Sequence, residues 1–460
     1  MLFNSIQFAI FLPVVFLIYW LLRRSLRWQN AFVVVASYVF YGWWNWRFLL
    51  LIAFTSACSY FSGRLMERER WRRMAMWGNV IVNLLILGVF KYYDFFAAEL
   101  AGLLGLPAER WLLHLVLPVG ISFYTFQALS YSIDVYRGRI AATHDAVAFF
   151  AYVSFFPQLV AGPIERASSL LPQFVRRRTL HHAVAADGLR QMLWGLFKKM
   201  VVADSCAVYV DEVFAAPQRY GGATLVVAAV LFAVQIYGDF SGYSDVAIGT
   251  AKLFGIRLRR NFHVPYFARD VAEFWRRWHI SLTTWFRDYV YIPLGGSREG
   301  RWRTVRNTFI IFLLSGLWHG ANWTFVCWGL YHVALFLPLI MLGRNRRFRD
   351  DASLRDLPRM LLTFVLVTLG WVIFRSPNVP FALHYVAGMT GVGPWLQPEL
   401  IVLPSVVLML VVEWVNRGCS HPFRRLPQYR WIRWAIYILL IFIIVAFMQT
   451  DEMPFIYFQF

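Results

Sequence analysis

Apolar runs of membrane-spanning length constrain the fold of this 460-residue chain more than any other feature. A helix needs roughly 20 mostly apolar residues to cross the hydrocarbon core of a bilayer. Apolar runs lie at residues 6–22, 31–41, 48–62, 74–90, 112–131, 147–160, 189–210, 223–237, 308–342, 360–374, 400–415 and 431–447. Since 59% of the residues are hydrophobic and only 15% are charged, the chain is too apolar for a soluble protein of this size. We therefore predict an all-α polytopic membrane protein with about ten to twelve transmembrane helices.

Irregularities within these runs refine the prediction. Several runs are short or contain glycine and proline, which indicates tilted, broken or re-entrant helices that are covered by their neighbours. No internal repeat or low-complexity tract interrupts the pattern, so residues 1–460 are predicted to form a single integral-membrane domain. The first run has no basic segment before it and no small-residue cleavage site after it, which favours a retained span over a signal peptide.

The charge of the chain is strongly positive, with 45 basic against 25 acidic residues, and all but four of the basic residues are arginine. The arginines occur in short connections between apolar runs, without a folded basic domain, so no nucleic-acid partner is predicted. Under the positive-inside rule these connections face the cytoplasm, which places both chain termini outside. They contain Arg23, Arg24, Arg27, Arg64, Arg68, Arg70, Arg72, Arg73, Arg344, Arg346, Arg347, Arg349, Arg424, Arg425, Arg430 and Arg433. Such basic loops fit the anionic cytoplasmic leaflet of a bacterial inner membrane.

The long run at 308–342 contains two histidines and no other His, Asp, Glu, Lys or Arg residue. An imidazole within a bilayer has to be hydrogen-bonded, hydrated or paired, which makes His319 a candidate functional residue. Histidine also exchanges protons near neutral pH, because its unperturbed pKa is about 6.5. If the segment from His319 to His332 were one helix, the two imidazoles would lie about 20 Å apart. His332 is therefore left outside the predicted catalytic pair, although a helix break at Gly320 would weaken this objection.

Asn322 follows His319 by three residues and has two equally favoured interpretations. On the same helical face, its amide would polarise a carbonyl or fix the tautomer of His319. Alternatively, its side chain forms a hydrogen bond that satisfies a helix break at Gly320.

The region 238–306 departs from the apolar pattern because it is dense in polar and aromatic residues. In the segment GDFSGYSDVAIG, Asp239 and Asp245 flank a predicted Ser-Gly-Tyr-Ser turn that begins at Ser241. Carboxylates at the end of an apolar run would not face lipid, which makes these residues candidates for substrate binding.

Farther along, tryptophans alternate with basic residues in the segment FWRRWHISLTTWFRDYVYIPLGG. The pattern predicts an amphipathic interfacial helix on which His279 shares a face with Trp275 and Thr283. It is typical of a membrane anchor, and its functional alternative is a basic mouth for an anionic donor. In the second case Trp275, Arg276 and Trp278 contact the donor.

Competing catalytic patterns are weak. His182 and Asp187 match the His-x4-Asp spacing of some acyltransferases, but Asp187 also suits the first turn of a helix that begins near Gly188. No GxSxG motif and no glycine-rich phosphate loop occurs. The cysteines Cys58, Cys206, Cys327 and Cys419 are single and widely spaced, which predicts neither a disulfide nor a metal site.

Taken together, the motifs of this chain resemble those of the membrane-bound O-acyltransferase family. The resemblance rests on GDFSGYSDVAIG, the FWRRWHISL segment, LWHGANW, the PFIYFQF tail, the MLFNSIQFAIFLP start and PQLVAGPIERA. It is strongest to the bacterial branch that includes alginate O-acetyltransferases and the D-alanyl transferases of teichoic acid. It implies a ring of tilted helices around a tunnel, with His319 as the catalytic residue, His279 as a second functional histidine and a less defined role for His332.

The resemblance and the chemistry of the residues together predict an acyltransferase. His319 would act as the base that deprotonates a hydroxyl, and His279 would orient the donor or relay the proton. The expected donor is acetyl-CoA or another acyl thioester on the cytoplasmic side, without a tightly bound cofactor. The expected acceptor is an exported polysaccharide such as alginate or cellulose, with peptidoglycan, teichoic acid or lipid as alternatives.

The family resemblance also implies partners, namely an extracytoplasmic SGNH or esterase-like acetyltransferase and polysaccharide export machinery, in addition to membrane lipid. The alternative function class is a proton-coupled transporter that uses His319 and the aspartates as a relay. A transporter has little use for a donor mouth around His279, so this segment distinguishes the two classes.

Overall fold

The computed structural model describes residues 1–160, 162–345, 352–448 and 455–456. Within these residues the chain is helical and forms no strand. The residues pack into two compact units, one built from Met1–Leu189 and Ala247–Arg259, the other from Arg190–Val246 and Arg260–Phe460. The single integral-membrane domain predicted from the sequence stays a prediction. Ala161, Arg346, Arg347, Arg349 and most of the PFIYFQF tail lie outside the described residues.

The first unit contains nine complete α-helices among its described residues. They are α1 (Ile6–Leu21), α2 (Leu26–Gly42), α3 (Arg47–Leu65), α4 (Glu69–Leu87), α5 (Tyr93–Leu103), α6 (Ile121–Tyr136), α7 (Ala146–Ser154), α8 (Phe156–Leu159) and α9 (Ala167–Phe174). The next helix, α10 (His182–Leu196), continues into the second unit. The helix predicted to start near Gly188 therefore starts at His182, and Asp187 lies beyond its first turn.

The second unit contains the remaining helices. They are α11 (Asp204–Ala215), α12 (Gly222–Leu253), which ends in the first unit, α13 (Val271–Arg277), α14 (Ile280–Phe286), α15 (Arg301–His319), α16 (Trp323–Met341), α17 (Leu357–Arg375), α18 (Val379–Gly388), α19 (Val402–Val415) and α20 (Arg430–Phe447). A π-helical segment, Phe197–Ala203, joins α10 to α11.

Seven helical segments of the described chain are long and apolar enough to cross a membrane. They are Ile6–Arg24, Arg47–Leu65, Glu69–Leu103, Gly222–Leu253, Trp323–Met341, Leu354–Arg375 and Arg430–Phe447. Shorter apolar helices occur at Val379–Gly388 and Val402–Val415. The predicted all-α polytopic membrane class is thus confirmed, whereas the total of ten to twelve crossings stays a prediction.

The structure also contains the broken helices that the glycine and proline positions predict. The run at 112–131 becomes helical only after Gly120, whose φ of 75° belongs to the left-handed region. A Cβ at this position would lie 2.5 Å from the carbonyl oxygen of Leu159, so a larger residue would clash there. The run at 147–160 is interrupted at Phe155, between α7 and α8.

Glycines permit the close helix packing that positions the polar residues of the second unit. Between α15 and α16, a Cβ on Gly316 would lie 2.3 Å from the Phe325 carbonyl oxygen. Between α10 and α12, a Cβ on Gly195 would lie 2.6 Å from the Gly242 carbonyl oxygen. Small residues at such contacts let helix backbones approach, as is typical of helix pairs in membranes.

Candidate active site

His319 lies at the end of α15, where the chain turns back into α16. The turn is made by Gly320, which has an extended backbone with φ −169° and ψ 161°. The imidazole is only 5% exposed. Its ring centroid lies 5.2 Å from those of Trp328 and Phe374, with both aromatic rings nearly perpendicular to it. His319 is thus placed in an aromatic enclosure within the protein.

His279 lies at a second chain break, between α13 and α14. Its φ of 43° is left-handed, which is uncommon for a residue with a Cβ and points to a constrained position. This break separates His279 from the helix that contains Trp275, so the predicted shared helical face is wrong. The side chain is 1% exposed. Burial lowers the pKa of His279 to about 3, and the imidazole is therefore neutral at neutral pH.

Asn261 sets the orientation of the His279 ring. Its Oδ1 atom accepts a hydrogen bond from His279 Nδ1 at 3.1 Å and another from the Ser281 hydroxyl at 2.9 Å. The Asn261 amide nitrogen donates to the Ser244 hydroxyl at 3.2 Å, which fixes which end of the amide faces the imidazole. His279 Nε2 is buried without a hydrogen-bond partner among the described residues. This nitrogen is therefore left with an available lone pair.

Trp318 connects the two predicted catalytic histidines. Its indole centroid lies 5.8 Å from the His279 ring and 5.0 Å from the His319 ring. On its other side, His279 packs edge-on against Phe240 with centroids 4.6 Å apart. Two residues that are distant in sequence are thus brought to one indole, as the prediction of a joint role requires.

His332 belongs to the same aromatic assembly. Because the chain turns at Gly320, the single helix on which its exclusion depended does not exist. The Trp328 ring lies 5.0 Å from the His332 ring and 5.2 Å from the His319 ring. The Trp275 indole donates a 3.3 Å hydrogen bond to His332 Nδ1. We call His279, His319, His332 and the indoles of Trp275, Trp318 and Trp328 the histidine cluster.

The segment predicted to be an amphipathic interfacial helix is two short buried helices. Trp275 and Trp278 are buried, and Trp278 stacks against Phe274 at a centroid distance of 5.4 Å. Arg277 is also buried, and it forms a 2.8 Å ion pair with Glu273. The sequence pattern predicted that Arg277 lies in water, but the Glu273 carboxylate neutralises its charge and so permits its burial. Arg276 is half-buried and donates to the carbonyl oxygen of Asn345.

Asp239, Ser241 and Asp245 lie on α12, which continues as a helix through the predicted Ser-Gly-Tyr-Ser turn. Their partners are two buried lysines of the π-helical segment. Lys198 Nζ lies 2.7 Å from Asp245 and 2.8 Å from the Ser241 hydroxyl.

Lys199 bridges two carboxylates, at 2.9 Å from Asp239 and 2.7 Å from Asp204. The second oxygen of Asp239 accepts a 2.6 Å hydrogen bond from the backbone of Ile456.

Glu413 completes the group, at 3.8 Å from Lys198 and within 2.8 Å of the Tyr237 hydroxyl. We call Lys198, Lys199, Asp204, Asp239, Ser241, Asp245 and Glu413 the lysine cluster.

Two sets of residues in this region were missed by reasoning from the sequence. The lysines had a signal, since Lys198 and Lys199 interrupt the apolar run at 189–210. No sequence pattern pointed to Asn261, because it precedes His279 by 18 residues in an irregular segment. Its role emerges only from the fold.

Asn322 caps α16. Its Oδ1 atom accepts a 3.0 Å hydrogen bond from the backbone of Thr324, and its amide nitrogen donates to the Pro377 carbonyl oxygen at 2.9 Å. Since α15 ends at His319, the two residues do not share a helical face. The geometry therefore favours the helix-break interpretation of Asn322.

The arrangement is suited to proton transfer in a buried space that is lined by aromatic side chains. The neutral imidazole of His279 has an oriented ring and a nitrogen available to accept a proton or a hydrogen bond. Within the described part of the chain, no group of three or more His, Cys, Asp or Glu side chains could hold a metal ion.

Comparison with known proteins identifies what the chain resembles. The family model described as MBOAT, membrane-bound O-acyltransferase family, matches residues 139–384, which include all three clustered histidines. A probable alginate O-acetylase of Pseudomonas aeruginosa is 41% identical over 87% of this chain and 77% of its own length. A peptidoglycan O-acetyltransferase of Helicobacter pylori is 33% identical over 100% of this chain and 98% of its own. A teichoic acid D-alanyltransferase of Bacillus subtilis is 25% identical over 70% and 83%, respectively.

Proposed function

Since the chain belongs to the membrane-bound O-acyltransferase family and is a multi-pass membrane enzyme, we propose that it transfers an acetyl group from a thioester for the O-acetylation of an exported polysaccharide. The observation that carries the proposal is the placement of His279 and His319 on one indole, Trp318, within a buried aromatic enclosure. Aromatic walls that exclude water protect a reactive acyl group from hydrolysis.

In this proposal His319 is the general base. Its imidazole takes the proton of an acceptor hydroxyl while the oxygen attacks the carbonyl carbon of the thioester. The tetrahedral intermediate then collapses, the carbon–sulfur bond breaks, and the imidazolium returns the proton to the leaving thiolate. The products are an ester and a free thiol, and His319 is regenerated.

His279 is proposed to position the donor. Its neutral imidazole is held through Nδ1 by Asn261, and Nε2 accepts a hydrogen bond from an amide or hydroxyl group of the donor. Correct placement of two reactants lowers the free-energy barrier of a bimolecular reaction, by about 7–11 kcal/mol in well-oriented cases. Acetyl-CoA is the proposed donor, and no tightly bound cofactor takes part.

Acetyl transfer to a glycan hydroxyl is supported by the names of the more similar relatives. The alginate and peptidoglycan enzymes, at 41% and 33% identity, are both named for O-acetylation. The relative named for D-alanyl transfer is 25% identical. Because the peptidoglycan relative aligns over 100% of this chain, peptidoglycan is the second candidate acceptor.

The proposed setting is a bacterial inner membrane, with both chain termini outside and the thioester on the cytoplasmic side. The basic connections between the apolar runs support this orientation through the positive-inside rule. An extracytoplasmic SGNH or esterase-like acetyltransferase would complete delivery to the polymer, together with polysaccharide export machinery.

The test compares polymer acetylation by wild type and His319→Ala in a host that carries the surrounding gene cluster, at matched membrane levels of folded protein. His384→Ala is the matched control, because His384 is exposed and outside the histidine cluster. Loss of acetylation in His319→Ala alone supports the proposal, and the acetylated polymer identifies the acceptor. Unchanged acetylation in His319→Ala would reject the assignment of the base.

A second measurement addresses the transporter alternative. Purified protein in liposomes is supplied with acetyl-CoA labelled in the acetyl group, and label is followed in soluble, lipid and polymer fractions. Ester-linked label on an added glycan or on an added partner protein supports the enzyme, whereas transport of label across the membrane without acyl transfer would support a transporter.

A further inference from the structure

The first unit contains a basic cleft that has no part in the proposed transfer chemistry. Its volume is about 230 Å³. Six basic side chains contribute to its lining, namely Arg176, Arg177, Arg178, His181, Lys252 and Arg257. They come from the connection between α9 and α10, from the end of α12 and from the segment that follows α12, which the fold brings together within this unit.

Arg178 is the buried member of the group and is only 8% exposed. Its partners are neutral, since Nε and Nη2 donate to Gln29 Oε1 at 3.2 and 3.1 Å and Nη2 also donates to Asn30 Oδ1 at 2.5 Å. The guanidinium also lies over the rings of Tyr19 and Phe174, at 5.4 and 5.3 Å. A buried arginine usually pairs with a carboxylate, but in the described chain none lies within ion-pair distance of Arg178.

The two amide partners of Arg178 are fixed in this orientation. The Gln29 side-chain nitrogen donates to the Tyr19 carbonyl oxygen at 3.2 Å, and that of Asn30 donates to the Phe174 carbonyl oxygen at 2.7 Å. Both amide oxygens therefore face the guanidinium. The fold pairs Nε and Nη2 of Arg178 with neutral oxygens, but among the described residues Nη1 is buried without a hydrogen-bond partner and the positive charge is not cancelled.

The rest of the lining strengthens the positive field. Among the described residues, Arg176, Arg177 and Arg257 form no ion pair, and Lys252 is neutralised by Asp187 at 2.6 Å. Helix α10 starts at His182, beside the cleft, and a helix start carries a partial positive charge. The Asp187 carboxylate thus neutralises only one of the several basic side chains that line the cleft.

Membrane topology alone does not account for this arrangement. Arginines that only mark a cytoplasmic loop need contact with water, whereas Arg178 is buried and held by polar residues of another helix. The cleft lies beside the end of α1, since the Trp20 indole donates to the Leu253 carbonyl oxygen at 3.1 Å. The basic residues Arg23 and Arg24 follow at this end. The positive-inside rule therefore assigns the cleft to the cytoplasmic side.

We propose that this cleft binds a phosphate group. Arginine forms bidentate hydrogen bonds with phosphate oxygens, and a helix N-terminus adds favourable backbone donors. The volume corresponds to about seven or eight water molecules at roughly 30 Å³ each. That is below the 300–1,000 Å³ typical of pockets for whole drug-sized ligands, so the cleft fits one charged group of a larger molecule. The phosphate belongs either to a nucleotide-bearing thioester or to an anionic lipid headgroup.

The experiment measures binding in nanodiscs of phosphatidylcholine, without any transfer reaction. The first probe is adenosine 3′,5′-bisphosphate, titrated by calorimetry with adenosine as the uncharged reference. The second measures, by native mass spectrometry, how much phosphatidylglycerol the protein retains from mixed-lipid nanodiscs. Arg176→Ala/Arg177→Ala removes two exposed cations from the cleft, and Arg68→Ala/Arg73→Ala removes two exposed cations elsewhere in the same unit.

We expect the cleft variant to weaken binding of one probe by at least about tenfold, because it removes charge-assisted hydrogen bonds, while the control variant binds like wild type. A loss confined to the nucleotide identifies the donor phosphate, and a loss confined to phosphatidylglycerol identifies a lipid site. If the cleft variant matches the control with both probes, the proposal is overturned. His319→Ala should bind both probes normally, which separates this inference from the proposed catalytic role.

Discussion

The histidine cluster and the lysine cluster are both buried in the second unit, but they use their nitrogen atoms differently. In the lysine cluster, Lys199 lies between two carboxylates at 2.7 and 2.9 Å, and Lys198 contacts Asp245 at 2.7 Å. In the histidine cluster, the ring of His279 is held through one nitrogen while the other has no partner among the described residues. In the lysine cluster opposite charges neutralise one another, whereas the histidine cluster retains a neutral accepting atom.

This difference follows from charge. A buried ammonium or carboxylate requires a partner, since leaving a buried charge uncompensated costs several kcal/mol. A neutral imidazole nitrogen can remain unpaired at a cost of about 1–3 kcal/mol. Ionisable residues in a membrane are therefore not all equivalent as functional candidates. Those that the fold keeps neutral and incompletely bonded are better placed for catalysis than those that neutralise one another.

The largest expected effect is on activity, from His319→Ala. Removal of the base should lower the acyl-transfer rate by about 10²- to 10⁴-fold. The folded fraction, measured by size-exclusion chromatography in detergent, should stay near that of wild type and of His384→Ala. If the variant loses folded protein instead, the histidine cluster is structural, and its contrast with the lysine cluster disappears.

The second prediction concerns stability, from Lys199→Met. This change keeps the apolar stem but leaves Asp204 and Asp239 without their shared cation, and should destabilise the fold by roughly 3–5 kcal/mol. Thermal unfolding in detergent measures the loss. Adding Asp204→Asn and Asp239→Asn to the variant removes the stranded charges and should recover part of it. A variant that stays stable yet loses activity would assign the lysine cluster to catalysis and break the comparison.

A smaller effect on the pH profile is expected from Asn261→Asp. The wild-type imidazole of His279 has a pKa of about 3, so it stays neutral throughout the range from pH 5 to 8. A carboxylate in place of the Asn261 oxygen favours the protonated imidazole and raises this pKa. On acidification, His279 in the variant therefore becomes protonated at a higher pH than His279 in wild type. The value of kcat/KM should then fall at the acidic end of the range. An unchanged profile, with Asn261→Ala equally active, would remove His279 from the reaction.

The membrane class predicted from the sequence is confirmed, whereas the roles of His279 and His319 stay predictions, and their common contact with Trp318 could not be predicted. His319 was identifiable because few ionisable residues interrupt its apolar run. The arrangement of the cluster depends on two backbone features that periodicity cannot detect. One is the left-handed conformation of His279, and the other is the turn at Gly320, after which α16 brings Trp328 and His332 back toward His319. A pattern of alternating tryptophan and arginine also looks alike on a membrane surface and in a protein interior where Glu273 neutralises Arg277. Tertiary pairing decides between these two cases.

The smallest expected effect tests whether Asn322 belongs to the site. As the cap of α16 it accepts a hydrogen bond from Thr324, so Asn322→Ala should cost about 1 kcal/mol of stability. Asn322→Asp retains the accepting oxygen and should recover most of that loss in thermal unfolding. The KM for the acyl donor should change little in either variant. A rise in KM shared by both, with unaltered stability, would instead return Asn322 to substrate binding. The candidate active site would then include the N-cap of α16.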